Sequence, residues 1–235
     1  LRLRRSESEE VRMFGYLSGW LSDPVSMLRT LVLSLPGLCI GLTVHEWAHA
    51  FVAYKLGDPT AKNFGRMSLN PLAHLDPVGG LCLLFFGFGW AKPVPISTRN
   101  LKHYRRDDIL ISLAGITMNF LVAFVFAFIE TALLVWAPGI LSRPAIIVIL
   151  NTIVTINLSL MIFNLIPLYP LDGSHVLECL CMRRLRKLCV FLRNYGFYIL
   201  LALLVLGLVS EVLSPAVTWI SNLMVRVSLF LLGKG

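Results

Sequence analysis

The sequence predicts an all-α membrane protein: a polytopic helical bundle of five to six transmembrane segments, one of them re-entrant, with a short extended membrane-associated strip. Three observations predict it. At 57% hydrophobic and 14% charged residues, with a mean hydropathy of +0.76, the chain is too apolar for a soluble domain. Apolar runs long enough to supply the roughly 20 helical residues that cross a hydrocarbon core recur along it. Lys and Arg collect between those runs, in Arg99 to Arg106 and Arg183 to Lys187, as they do in loops facing an anionic cytoplasmic leaflet. The net charge of +8 is therefore topological; nothing gathers it on a soluble, groove-reading face, and no nucleic-acid partner is expected.

In chain order, residues 1–24 form a polar lead-in. Arg2, Arg4 and Arg5 are answered there by Glu7, Glu9 and Glu10, and no hydrophobic stretch ends in a cleavage site. Residues 25–235 are expected to form a single integral-membrane domain. Spans are predicted at 27–56, 109–136, 144–168, 188–209 and 212–232. Between the first two, residues 78–90 give an apolar piece of roughly 13 residues, too short to cross and suited to a re-entrant segment. After it come Lys92, Pro93 and Pro95, where Val94 and Ile96 predict an extended strip able to offer an edge to a peptide. Five cysteines lack the paired spacing of a structural zinc site and read as small apolar packing residues.

The chemistry begins inside the first span with His45-Glu46-Trp47-Ala48-His49. Residues four apart share a helix face, so both imidazoles can address one metal while Glu46 reaches a bound water. Two His and a Glu at membrane depth cost several kcal/mol unless coordinated, paired or wetted. Pairing to neighbouring helices would need three separate partners, whereas a metal site supplies one. A catalytic zinc site needs a third protein ligand, leaving a position for water. Asp172 stands in the stretch Asn164-Leu-Ile-Pro-Leu-Tyr-Pro-Leu-Asp172-Gly173, where two prolines and a glycine break a membrane helix and free its backbone groups. Read from the residues alone, Asp172 is either that ligand or the N-cap of a helix starting near Ser174.

These two motifs together resemble those of the site-2 protease family of intramembrane zinc metalloproteases, in its compact prokaryotic form without PDZ or CBS modules. Asn70-Pro71, His74 to Pro77, and Gly89 to Val94 add to the similarity. The resemblance implies one zinc ion held by His45, His49 and Asp172, with Glu46 as general base acting on zinc-activated water. It also implies Asn164 as a polar contact for the substrate or its reacting carbonyl. The substrate it implies is a transmembrane or membrane-proximal protein segment, cut within or beside the bilayer of a prokaryotic plasma membrane. A homo-oligomer or a regulatory membrane partner is compatible with it. Gly115-Ile116-Thr117-Met118-Asn119 departs from the family's Gly-Pro-x-x-Asn, and Ser174-His175 from its usual Gly or Ser followed by Arg.

Bringing the histidines and Asp172 to one depth requires the 27–56 and 144–168 spans to run parallel, which holds if residues 78–90 do not cross. The basic loops then place the metal toward the cytoplasmic side. His74 and His103 read as solvated connector residues, Asp76, Asp107 and Asp108 as loop and helix-cap residues, and His175 as a neighbour of the site. Rival readings are a haem or metal carrier using transmembrane histidines, and a transporter or inactive scaffold that keeps the broken helix.

Overall fold

The computed structural model describes residues 21–86, 89–182 and 184–234; most of the lead-in expected at 1–24 lies outside them. Five helices are long and apolar enough to span a membrane. We label the helices α1 (Pro24–Lys55), α2 (Thr60–Asn63), α3 (Pro77–Phe86), α4 (Tyr104–Trp136), α5 (Pro138–Leu141), α6 (Pro144–Asn164), α7 (Asp172–Cys181), α8 (Arg186–Val205) and α9 (Leu208–Leu231). The spans are α1, α4, α6, α8 and α9. Leu28, Val32, Phe120, Val125 and Phe230 stand exposed around the bundle, the side chains a lipid-facing rim calls for. The chain is an integral multi-pass membrane protein.

The start of α1 follows from Asp23, whose Oδ1 accepts the Ser26 N–H at 3.0 Å, with Pro24 pre-set for the first turn. Gly37 and Gly41 then let α1 close on α6. A Cβ at Gly37 would lie 3.0 Å from the Thr152 carbonyl oxygen, and one at Gly41 2.8 Å from Leu160 Cδ1. Small residues four apart give such close crossings in membranes. Their order also fixes direction: position 37 faces 152–156 and position 41 faces 157 and 160, so α1 and α6 run parallel, as the metal hypothesis required. Against α4 the order reverses, His45 meeting Asn119 and His49 meeting Ile111. One crossing therefore intervenes between α1 and α6. Helix α3 has 10 residues, about 15 Å of rise against a core of about 30 Å.

The strip after α3 forms no strand among the described residues. A single bridge joins Leu75 to Ala91, and the Lys92 N–H donates to the His74 carbonyl at 2.8 Å. Asp76 caps α3 as expected, accepting from Val78 at 2.9 Å and Gly79 at 2.8 Å. Asp107 reaches back to the His103 N–H at 2.9 Å. His74 departs from expectation. It is buried, with Nε2 donating to the Ser68 carbonyl at 2.8 Å, because the strip folds over the connector and takes it out of solvent.

At the other end of the strip, Gly57 at φ +106° turns the chain after α1, and buried Asp58 gathers the strip's exit. Its carboxylate accepts from the Ser97 N–H at 2.7 Å, Asn100 Nδ2 at 2.7 Å, the Thr60 N–H at 3.1 Å and the Thr60 hydroxyl. Burial would raise its pKa, but the bonds from Thr60, Asn100 and Ser97 outweigh this and hold it below the usual value. A depressed carboxylate adds stability above its unfolded pKa of about 3.9 and loses it as pH falls through the folded value. Each buried donor left unpaired costs about 1–3 kcal/mol, and about 1 kcal/mol moves the melting point by about 2–4 °C in a chain this long. Asp58→Ala should therefore melt at least about 5 °C lower at pH 7 in detergent micelles. That difference should narrow as the pH drops below about 3.9; a gap independent of pH would show that the carboxylate charge plays no part.

Candidate metal centre

Helices α1, α4 and α6 with the broken segment after α6 build the site. His45 and His49 share the stripe of α1 that continues Gly37 and Gly41, so the face that approaches α6 most closely then presents the imidazoles. Asp172 arrives because α6 ends at Asn164 and the chain folds back through Pro167 and Pro170 into α7. Gly173 makes this fold-back feasible: a Cβ there would lie 2.4 Å from the Leu165 carbonyl oxygen and 2.6 Å from that of Ile166. Asp172 opens α7 in its first turn, with Leu171 at the cap. Its carboxylate faces the histidines instead of capping a helix.

His45 Nε2 lies 3.2 Å and His49 Nε2 3.3 Å from Asp172 Oδ2, and the two Nε2 atoms are 3.0 Å apart. The other ring nitrogens determine what these atoms carry. His49 Nδ1 sits 2.7 Å from the Ile111 carbonyl, which can only accept, so Nδ1 bears the proton. His45 Nδ1 is 2.6 Å from Asn119 Oδ1. That orientation of Asn119 follows from its Nδ2, which donates to the Gly41 carbonyl at 3.0 Å and to Asn157 Oδ1 at 2.9 Å. Asn157 Nδ2 in turn donates to the Ile153 carbonyl at 2.8 Å. With both Nδ1 atoms held by acceptors, the two Nε2 atoms point at one another and at the Asp172 carboxylate.

Asp172 Oδ2 is buried and has no hydrogen-bond partner. Burial would raise the Asp172 carboxyl, but His49 and His45 more than offset it and keep it ionised. One proton can serve only two of three converging lone pairs; a divalent cation serves all three. The spacing agrees, since tetrahedral bonds of about 2.0–2.1 Å put neighbouring ligand atoms about 3.3 Å apart. Two imidazoles and one carboxylate also leave a fourth position open, as catalytic zinc sites do. Among the described residues His45, His49 and Asp172 form the group able to hold a metal ion.

The remaining expected residues line one cavity of about 620 Å³ with the three ligand candidates. Glu46 Oε2 accepts the Val94 N–H at 2.9 Å, tying the strip to the site. Asn164 faces the cavity but donates one Nδ2 hydrogen back to the Leu160 carbonyl at 3.0 Å. His175 lines the same cavity, and His103 is an exposed cap residue, as expected. The residues to which sequence reasoning gave no part in the site lie mostly on α4. Asp108, expected as a loop or cap residue, is buried and paired with His175 at 3.4 Å. Gly115 leaves the space the rings occupy, and Asn119, with Asn157 of α6, is fully buried behind His45. Asparagines at the centre of membrane spans were the available signal.

Comparison with known proteins places the chain in a family. The profile of peptidase family M50 matches residues 137–207, which include the broken segment and Asp172. The chain is 41% identical over 198 residues to the candidate zinc metalloprotease YwhC of Bacillus subtilis (strain 168), covering 83% of this chain and 89% of that one. It is 26% identical over 200 residues to Rip2 of Mycolicibacterium smegmatis, named likewise, covering 83% and 75%. Zinc metalloprotease MJ0392 of Methanocaldococcus jannaschii is 25% identical over 175 residues, covering 74% and 42%. No solved structure matches. Identity at that level across nearly the whole of a relative, together with five membrane helices around the broken segment, establishes that the chain belongs to peptidase family M50, the site-2 protease family.

Proposed function

We propose that the chain is an intramembrane zinc metalloprotease that cuts membrane-protein segments within or beside the bilayer. The observation that carries this is the convergence of His45 Nε2, His49 Nε2 and the orphaned Asp172 Oδ2 within 4.8 Å of one another. Zinc held there would supply Lewis-acid polarisation and lower the pKa of a bound water to about 7.

The chain's own groups do the rest. Glu46, with Oε2 fixed by Val94, keeps Oε1 available to take a proton from the attacking water and return it to the leaving amine. Asn164 retains its second N–H for the substrate. Within 92–97 only the Ile96 N–H lacks a partner among the described residues, since Lys92, Val94 and Ser97 are bonded and the prolines have none. With the Val94 and Ile96 carbonyls it forms a short edge for an extended peptide. The substrate must be unwound there, because a helix hides its carbonyls.

The C-terminal end of α1 and the N-terminal end of α4 meet, with Lys55, Lys102 and Arg106 lining one surface pocket between them, and Arg184 and Lys187 lie at the connection from α7 to α8. That charge supports a cytoplasmic position in a prokaryotic plasma membrane. A haem carrier is disfavoured, because Nε2 atoms 3.0 Å apart leave no room for a macrocycle between them.

Elemental analysis of the purified protein tests the reading. About one zinc per chain is expected, with cleavage of fluorescein-labelled casein in micelles that stops with 1,10-phenanthroline and returns with zinc. Asp172→Ala should lose the metal. Protein that binds haem, or holds zinc equally well without Asp172, would overturn the assignment.

A further inference from the structure

The cavity contains a dyad that the proposed proteolytic chemistry has not used. His175, on α7 one turn beyond Asp172, places Nδ1 3.4 Å from Asp108 Oδ2. The Asp108 side chain is 9% exposed and that of His175 48%. Cys179, four residues further along the same face, donates its thiol to the same oxygen at 3.4 Å. A buried carboxylate thus holds Nδ1 of an imidazole that lines the cavity, which leaves Nε2 as the ring nitrogen free to meet a substrate.

Elimination sharpens its role. No Lys or Arg among the described residues lines the cavity, and Asn164 has one of its two donor hydrogens engaged by its own helix. Outside the metal cluster, His175 is the titratable cation available where negative charge would build on a substrate carbonyl. Its neighbours favour the proton-bearing form: the hydrogen bond to Asp108 raises His175 above the usual imidazole range, with Asp172 adding to it while burial and His49 oppose. Burial first, then Asp108, lifts the Cys179 thiol to about 11, so it stays a neutral donor. The groups facing His175 are Asp108 from α4, Asp172 from its own helix and His49 from α1.

Resting on the proteolytic reading above, we propose that His175, oriented by Asp108, donates a hydrogen bond from Nε2 to the substrate's reacting carbonyl oxygen as it becomes an oxyanion. Asp108 is then a positioning residue. Donors aimed at a developing oxyanion change kcat by about 10²–10³-fold when removed, whereas a uniform binding contact changes KM instead.

The test is casein cleavage in micelles by wild type, Glu46→Gln and a His175 series, with zinc content measured on each sample. His175→Ala should lose about 10²–10³-fold in kcat with KM within about threefold and zinc at the wild-type level. His175→Gln, whose amide nitrogen sits where Nε2 was, should recover at least about a tenth of wild-type kcat. His175→Asn, whose amide sits near the Nδ1 position facing Asp108, should behave like Ala. Asp108→Asn should fall about tenfold, since orientation is weakened while the donor remains.

Asn equalling or exceeding Gln would assign His175 to holding Asp108 and overturn the proposal. Zinc lost in step with activity would overturn it too, making the dyad a support of the metal site. If wild type cuts casein, Glu46→Gln does not and His175→Ala matches wild type, this inference alone falls. If wild type and Glu46→Gln are indistinguishable, the proteolytic reading falls and carries this one with it.

Discussion

Glu46→Gln should abolish peptidase activity, by at least about 10³-fold in kcat, while the protein keeps its zinc and its melting temperature. The first half follows from chemistry: an amide cannot accept a proton from the attacking water, and a positioned general base contributes about 10²–10⁴-fold. The second half follows from the geometry. The structural task of Glu46 is to accept the Val94 N–H at 2.9 Å, and the Gln carbonyl oxygen accepts it equally well. Glu46 is also outside the cluster of atoms able to hold the metal. Glu46→Leu separates the two roles, since it removes the acceptor as well and should release the strip, seen as faster proteolytic nicking across 91–97. Activity above a tenth of wild type in the Gln variant would show that Glu46 is not the base, whatever the metal content.

How much of this was legible beforehand depended on how local the physics is. The spans could be read because a membrane helix needs only length and apolarity, both properties of a contiguous run; the helix at 24–55 differs from the expected 27–56 by three residues at one end and one at the other. The histidine pair could be read because i and i+4 share a helix face whatever surrounds them. Asp172 required a distant helix to run parallel to α1; the sequence supplied the broken stretch, the family resemblance and the parity of crossings, but not which way the carboxylate turns. Asn119 and Asp108 were out of reach for a different reason. One polar residue in a span and one acid at a helix start have several ordinary uses, and only packing shows that Asn119 backs His45 while Asp108 grips His175. His74 failed in the opposite direction, its polarity suggesting solvent where the strip covers it.

Gly115→Ala should nearly empty the metal site, although it adds one methyl group at a position with no ligating atom. A Cβ there would lie 2.6 Å from His45 Cε1, 2.6 Å from His49 Nε2 and 2.7 Å from His45 Nδ1. Those contacts are with rings held at Nδ1 by Asn119 and the Ile111 carbonyl, so neither ring can yield without straining its hydrogen bond and turning its Nε2 off the shared point. Losing an outer partner of a metal-bound histidine costs about 10–100-fold in affinity. Displacing two ligands together should cost more than about 100-fold, leaving below about a tenth of an equivalent of zinc after dialysis. The fold should survive: overpacking costs about 1–3 kcal/mol, and replacing a helical glycine by alanine returns about 1 kcal/mol. Gly80→Ala is the matched control, because a Cβ there meets nothing within 4 Å, and it should keep its zinc. A Gly115→Ala protein that melts like wild type with a full equivalent of zinc would mean that the metal is held elsewhere.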